Sequence, residues 1–218
     1  VLVDTGAGFA PTNGKLIKNL AVEGIQAQDI DTVILTHAHA DHIGGNAQGV
    51  GEATFPNARY VMWEGEWNFW MQDQPDLRRM PVDEHIKQLL VDSAHAALPP
   101  IQAHLELVDH EVEIVPSIRV LPAPGHTPGH IALSISSGEE QLLHIADTVL
   151  HPILMEHPDW YAAFDLLPER ADETKRTLLD GAASDSALVL AFHFPFPSVG
   201  HVVRAREGWR WEPVEATQ

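Results

Sequence analysis

Short apolar runs recur along the chain, one of them, at residues 32–36, rich in β-branched residues, and each of them predicts a β-strand. The predicted strands cover residues 1–4, 32–36, 59–62, 112–115, 118–121, 131–135, 141–146, 187–191 and 201–204. Apolar residues return at helical spacing in three segments, which predict helices over residues 13–21, 83–98 and 168–179. Gly24 suits the end of the first helix, Pro168 the start of the third, and Gly181 its end. Strands and helices interleave without a strict β-α-β alternation, so the pattern alone predicts an α/β or α+β class.

The polar residues after the second predicted strand form the most informative pattern in the chain. His37-Ala38-His39-Ala40-Asp41-His42 places four metal-binding side chains within six residues. Neutral imidazole and carboxylate together suit zinc, iron or manganese. Four such side chains cannot all reach one ion from a straight strand, so we expect a loop that curls around two ions.

Three further donors follow other predicted strands. His126 lies in a turn rich in Gly and Pro, Asp147 follows the strand at 141–146, and His193 follows the strand at 187–191. Because each donor comes after an apolar strand, one edge of a sheet can gather all three. Asp147 capping a turn, or His201 in place of His193, are the weaker alternatives, since Asp147 and His193 directly follow strands.

These motifs together resemble those of the metallo-β-lactamase superfamily of metallohydrolases. The HxHxDH motif, the GHTPGH turn, the later Asp and the last His match in order and rough spacing, from Val1 to about Val203. The chain has no cysteine, which one antibiotic-hydrolysing branch uses as a ligand, and it looks closest to the methyl parathion hydrolase, lactonase and glyoxalase II branches. The resemblance implies a four-layer αββα sandwich without the family's usual N-terminal strands, in a single domain over residues 1–218.

The resemblance also implies a role for each donor. The first ion would be bound by His37, His39 and His126, the second by Asp41, His42 and His193, and Asp147 would bridge both. Two divalent ions are expected, zinc first, with manganese, iron or cobalt as alternatives. They would share a hydroxide that attacks the substrate. Asp41 and Asp147 are the expected catalytic carboxylates, and Asp41 would accept a hydrogen bond from the nucleophile or help to move its proton.

Composition narrows the class of substrate. With 13 Lys and Arg against 31 Asp and Glu, the formal charge is −18, which disfavours nucleic acid and anionic membranes as partners. Aromatic clusters and few basic residues near the donors suit a small, uncharged substrate, namely a lactone, an aryl ester or an organophosphate triester. The candidate pocket residues are Trp63, His151, Phe194 and His201. The alternatives are a glyoxalase II-like thioesterase, an iron-dependent oxidoreductase such as a persulfide dioxygenase, or a protein without enzymatic activity.

The first residues of the chain begin in the middle of a predicted strand. Val1-Leu2-Val3 carries no Met or leader, so we expect a fragment or a processed form of a cytoplasmic protein. This strand is expected to be buried, and its missing neighbours would leave an apolar edge that a homodimer covers. Asp4 follows it and either holds a ligand histidine or makes an Asx turn, two interpretations of equal weight.

Overall fold

The computed structural model describes residues 1–8, 14–48 and 51–215. The chain folds into two compact units. The first unit contains residues 1–78 and 82–109, and the second contains residues 79–81 and 110–218. The sequence-based expectation of a single domain over residues 1–218 stays a prediction.

The first unit is built on a parallel sheet of four strands. The strands of the unit are β1 (Leu2–Val3), β2 (Thr32–Ile34), β3 (Ala47–Gln48), β4 (Glu52–Ala53), β5 (Arg59–Trp63) and β6 (Leu105–Val108). The sheet has the order β1-β2-β5-β6, while β3 and β4 form a separate antiparallel pair. All of β2 is buried and most of β5 is too, as expected for strands in the middle of a parallel sheet.

Helices connect the parallel strands of the first unit. They are α1 (Leu16–Val22), α2 (Ala40–Ile43), α3 (Glu64–Trp70) and α4 (Glu84–Ala97), with 3₁₀ turns at Ala27–Asp29 and Pro99–His104. The Asp83 side chain caps α4 by accepting a hydrogen bond from the main-chain N–H of His85. Gly24 follows the last turn of α1 with a positive φ of 79°, as its predicted place at the helix end requires.

The second unit is built on a mixed sheet of seven strands. They are β7 (Val112–Val115), β8 (Ile118–Pro122), β9 (Ile131–Ser137), β10 (Glu140–Ala146), β11 (Leu188–Ala191), β12 (Val199–Arg204) and β13 (Trp209–Pro213), adjacent in chain order. Only β10 and β11 are parallel, and the helices α5 (Ile153–Glu156) and α6 (Pro168–Asp185) lie in the crossover between them. Leu179 of α6 packs on the sheet residues Ile145 and Val189 in the core of this unit.

All nine predicted strands and all three predicted helices are present, and the mixed α/β class is confirmed. Four short strands, β3, β4, β6 and β13, were not predicted. The predicted end of α6 at Gly181 is wrong: the helix continues to Asp185 and ends at Ser186, which has the left-handed φ of 52°. Residue 13, at the predicted start of α1, lies outside the described residues.

The burial predicted for the first strand is also wrong. Val1 is 53% exposed, and Leu2 and Val3 are only half-buried, because β1 is an edge strand of its sheet. Within the described residues, no helix has the length and apolar character needed to cross a bilayer. The cytoplasmic location stays a prediction.

Candidate metal ligands

The HxHxDH motif lies where β2 gives way to α2. His37 lies three residues after the end of β2, His39 is the N-cap of α2, and Asp41 and His42 lie in the first turn of that helix. The three histidines are buried, whereas the Asp41 side chain is 42% exposed. The chain therefore curls at the motif, as expected, and presents the donors from a turn instead of from a straight strand.

His37 and His39 are placed as ligands of a common ion would be. His37 Nε2 lies 3.1 Å from His39 Nδ1. Two nitrogens bound to one tetrahedral zinc at about 2.0–2.1 Å would lie about 3.3–3.4 Å apart. The observed separation is close to this value, so both ring nitrogens are able to face one divalent ion.

Asp4 orients His42 and also accepts two hydrogen bonds from Thr36. Its Oδ1 accepts from the main-chain N–H of Thr36 at 2.7 Å, and its Oδ2 accepts from Thr36 Oγ1 at 2.8 Å. The same Oδ2 lies 2.7 Å from His42 Nδ1, so the carboxylate holds the ring proton at Nδ1 and the lone pair of Nε2 is presented to a metal. Of the two interpretations of Asp4, the contact favours the one in which it holds a histidine, and the role of His42 as a metal ligand stays a prediction.

The glycines after the HxHxDH motif allow the residues that follow β1 to pack against the main chain of α2 and the turn after it. Thr5, which follows Asp4, donates its main-chain N–H to the His42 carbonyl at 2.7 Å. A Cβ atom on Gly45 would lie 2.2 Å from the Thr5 carbonyl oxygen, well inside contact distance. Only glycine leaves room for this approach, which explains why the motif is followed by glycine.

Asp147 is the centre of the donor group in the second unit. It follows β10 and is buried, with 2% of its surface exposed. Its Oδ2 lies 3.1 Å from His193 Nε2 and 3.4 Å from His126 Nε2. A single carboxylate thus contacts both histidines, the arrangement expected of a carboxylate that bridges two ions.

Asp165, which sequence reasoning missed, orients His126. Asp165 Oδ1 lies 3.0 Å from His126 Nδ1, and Asp165 Oδ2 accepts the main-chain N–H of Ala162 at 2.9 Å. The carboxylate therefore favours the tautomer with its proton on Nδ1, which leaves Nε2 for a metal. These residues are 39 positions apart in the chain, and no local pattern singles out Asp165.

His130 and Gly125 fix the GHTPGH turn. His130 Nδ1 donates to the Ala123 carbonyl at 3.0 Å, and His130 Nε2 accepts the main-chain N–H of Asp147 at 3.1 Å. A Cβ atom on Gly125 would lie 2.3 Å from Cα of Ala171 in α6, and φ at Gly125 is +146°. The turn therefore requires glycine here in order to pack against α6 while His130 holds the Asp147 backbone.

Seven side chains of the described residues are thus candidate metal ligands, four in the first unit and three in the second. They are the seven that the sequence predicts. Five imidazoles and two carboxylates, most of them buried and several held by neighbouring carboxylates, form a donor set that fits divalent metal ions. Residues 1–193 match the sequence profile of a family described as the metallo-beta-lactamase superfamily. The chain belongs to the metallo-β-lactamase superfamily.

Several members of the superfamily resemble the chain closely. AidC, described as a dizinc quorum-quenching lactonase in complex with a product, N-hexnoyl-L-homoserine, is 30% identical, with a TM-score of 0.91 over 99% of this chain and 76% of that one. The hydrolase AbOPH is 28% identical, with a TM-score of 0.87 and the same coverage of 99% and 76%. The metallo-β-lactamase fold predicted from the sequence is thereby confirmed.

Curated members of the superfamily include lactonases that match more distantly. An N-acyl homoserine lactonase from Bacillus thuringiensis is 24% identical over 180 residues, which are 82% of this chain and 62% of that protein. Another, from a Bacillus species, is 24% identical over 123 residues, 56% of this chain and 40% of that protein. The chain thus spans less than two thirds of the length of these lactonases.

The four residues predicted to line a substrate pocket differ in their burial and in their contacts. Trp63 is half-buried at the start of α3, and His151 is exposed and accepts the main-chain N–H of Ile153 at 3.2 Å. His201 is exposed on β12, with Nδ1 3.1 Å from the Ala187 carbonyl; His193, not His201, contacts Asp147.

Phe194 lies in the core of the second unit, so its assignment to a pocket needs correction. It is 5% exposed and belongs to the apolar cluster of the unit. Its ring meets Trp211 edge to face at a centroid distance of 4.9 Å. A side chain packed in this way supports β13 and offers little surface to a substrate.

A small cavity lies beside Asp147 in the second unit. Asp147, Trp160, Tyr161 and Lys175 line it, and the two aromatic residues are 48% and 57% exposed. Lys175 is buried, donates to the Trp160 carbonyl at 3.0 Å and lies 3.6 Å from an Asp172 carboxylate oxygen. Burial lowers the pKa of Lys175, while Asp172 acts in the opposite direction. The cavity thus combines aromatic walls with a cation whose hydrogen bonds and charge already have partners.

Proposed function

We propose that the chain is a hydrolase that uses two divalent ions, zinc first, to open lactones and to cleave related uncharged esters, organophosphate triesters among them. The observation that carries the proposal is the contact of one Asp147 oxygen with both His126 and His193. Similarity to a dizinc lactonase supports it. The proposed ligands are His37, His39 and His126 for one ion, Asp41, His42 and His193 for the other, and Asp147 between them.

The chain's own residues would prepare the reaction in two ways. Two cations held by the proposed ligands would supply a water molecule with a lowered pKa and would polarise the carbonyl or phosphoryl oxygen. Asp4 and Asp165 hold protons on Nδ1 of His42 and His126, so that each ring offers Nε2 as a donor. Asp41 is the most exposed candidate ligand of its unit, and its carboxylate would accept a hydrogen bond or a proton from the nucleophile.

Surface aromatic residues point to an uncharged, partly apolar substrate. Trp160, Tyr161 and Phe164 are 48%, 57% and 38% exposed, and they lie in the short segment that ends at Asp165, which contacts His126. Large aromatic surfaces beside a polar centre suit the acyl chain of an N-acyl homoserine lactone or an aryl ester. Among the residues lining the small cavity beside Asp147, Lys175 is the one cation, and it is already paired with Asp172 instead of being offered to a carboxylate of a glutathione thioester.

A substrate panel with metal-quantified protein tests the proposal. The panel would contain N-acyl homoserine lactones of several chain lengths, p-nitrophenyl esters, a paraoxon-like triester, a glutathione thioester and a persulfide. We expect lactones to have the highest kcat/KM, followed by uncharged esters. Preferred turnover of the thioester or of the persulfide, at equal metal content, would replace the proposal with the thioesterase or the iron oxidoreductase.

The Asp147→Ala variant tests the bridging role. We expect it to bind fewer than two ions per chain and to lose more than about 100-fold in turnover, beyond the usual effect of losing a residue that only supports a ligand. Asp159→Ala removes an exposed carboxylate from the same unit and should retain both properties. Full metal content and full activity in Asp147→Ala would show that the bridge assignment is wrong.

We also propose a homodimer as the assembly. The half-buried edge strand β1 leaves apolar surface that a second copy would cover. Light scattering on the intact chain should give twice the monomer mass of 24.0 kDa, and a monomer at micromolar concentration would contradict the proposal.

A further inference from the structure

Glu66 is a fully buried acid on α3, and its surface exposure is 0%. Transfer of a carboxylate out of water is costly unless hydrogen-bond donors compensate for the lost hydration. Two donors meet the same oxygen: the main-chain N–H of Ala38 and Nε1 of Trp70 each donate to Glu66 Oε1 at 2.8 Å. The partners of the buried carboxylate therefore indicate what it holds in place.

The first partner links Glu66 to the metal-binding motif. Ala38 lies between His37 and His39, and its own side chain is fully buried. A hydrogen bond to its N–H fixes the peptide group between His37 and Ala38, in the short segment that joins the two proposed ligands. Because the directions of both side chains depend on this part of the backbone, the bond acts on His37 and His39 together.

The second partner, Trp70, links Glu66 to the side chain of His39. Trp70 follows Glu66 by four residues, so both side chains lie on one face of α3. The Trp70 ring is fully buried and meets the His39 ring edge to face at a centroid distance of 5.6 Å. One carboxylate oxygen thus supports the main chain next to His39 and orients the ring that packs against it.

We infer that Glu66 is a positioning residue for the metal ion bound by His37 and His39. The inference rests on the proposed metal centre. Glu66 does not need to touch the ion, since it acts through the backbone at Ala38 and through the Trp70 ring. A purely structural role would make the same residue important for stability without changing metal affinity, and this difference can be measured.

The experiment compares the Zn²⁺ affinity of three variants of the intact chain. Glu66→Gln keeps the length and an acceptor oxygen but removes the charge that strengthens both hydrogen bonds. Trp70→Phe keeps an aromatic ring against His39 but removes the N–H donor. Glu64→Gln changes an exposed acid on the same helix and is the matched control. Competition with a chromophoric chelator gives the affinities, and thermal unfolding of the metal-free proteins measures stability.

We expect Glu66→Gln to weaken one of two Zn²⁺ sites by about 10-fold or more, within the range known for residues that orient metal ligands. Trp70→Phe should weaken the same site to a smaller extent, and Glu64→Gln should match the wild type. Wild-type affinity at both sites in Glu66→Gln and in Trp70→Phe would overturn the inference, even if the melting temperatures fall. A wild-type chain that binds no Zn²⁺ would overturn the proposed function and the inference with it.

Discussion

Replacing Asp4 by Asn inverts the hydrogen bonding that prepares His42. In the wild type, Asp4 Oδ2 lies 2.7 Å from His42 Nδ1 and accepts from Thr36 Oγ1 at 2.8 Å. Asn can keep the Oδ1 bond to the Thr36 N–H but then points an NH₂ donor at His42. The ring must respond by carrying its proton on Nε2, the nitrogen proposed to bind metal. Asn also accepts the left-handed φ of 55° at this position, so the backbone is not strained.

The size of the effect follows from the bond that is lost. A hydrogen bond to a charged group contributes about 1.5–3 kcal/mol, which corresponds to roughly 10–150-fold in an equilibrium constant. Loss of a residue that orients a metal ligand typically weakens binding by about 10–100-fold. The two ranges agree, so we expect Asp4→Asn to weaken one Zn²⁺ site by about 10–100-fold. The metal-free protein should lose only about 1 kcal/mol, because Thr36 Oγ1 can turn to accept from the new NH₂.

Two measurements check this expectation. Chelator competition gives the Zn²⁺ affinity, and ¹⁵N NMR of labelled histidine reports which nitrogen of His42 carries the proton. Asp31→Asn, an exposed acid next to β2, is the control and should behave as the wild type. If Asp4→Asn binds two Zn²⁺ ions with wild-type affinity, or if its His42 keeps the proton on Nδ1, then the role assigned to Asp4 is refuted.

Two further predictions concern Asp165 in the second unit and the buried Tyr60 in the first. Asp165→Ala removes the partner of His126 Nδ1 and should weaken one Zn²⁺ site by about 10–100-fold in the same chelator assay, whereas unchanged affinity would mean that His126 needs no such support. Burial raises the pKa of Tyr60 to about 12 from its ordinary value of 10.0. The folded state thus favours the neutral phenol of Tyr60, and its pKa is higher there than in the unfolded chain. The stability that the neutral phenol contributes is complete below pH 10. It is lost as the pH rises from about 10 to about 12, by up to roughly 3 kcal/mol of unfolding free energy. Between pH 8 and pH 11.5, the free energy of unfolding in urea should therefore fall more steeply for the wild type than for Tyr60→Phe. The exposed Tyr161→Phe should follow the wild type. Parallel plots of unfolding free energy against pH for the wild type and Tyr60→Phe would contradict this.

The predicted strands and the metal-binding motif could be read from local sequence because each is a local pattern. Apolar β-branched runs mark β2 and β11 without any knowledge of their neighbours, and the HxHxDH motif is contained in six residues. The short strand β6 was not predicted because Glu106 interrupts its run of apolar residues. It is stabilised by pairing with β5, which is a tertiary interaction.

The supporting carboxylates could not be predicted because nothing local distinguishes them. Glu66 and Asp165 are two of 31 acidic residues, and their partners lie 28 and 39 positions away. Phe194 was assigned to a pocket for a related reason. Its packing partner Trp211 belongs to β13, a strand that was not predicted. The sequence therefore did not show that Phe194 is covered by this strand.

The contacts that orient the ligands also determine when the donor groups can form during folding. The bonds made by Asp4 to Thr36 and His42 close segments of 32 and 38 residues, and the contact of Asp147 with His193 closes one of 46. Closing such long segments costs chain entropy before it brings any gain, so these contacts form together with strand pairing rather than before it. The newly made chain therefore carries its histidines without a fixed geometry until the sheets are in place. If two ions bind as proposed, the complete donor set would form only after strand pairing, and the ions would stabilise a finished fold instead of nucleating it.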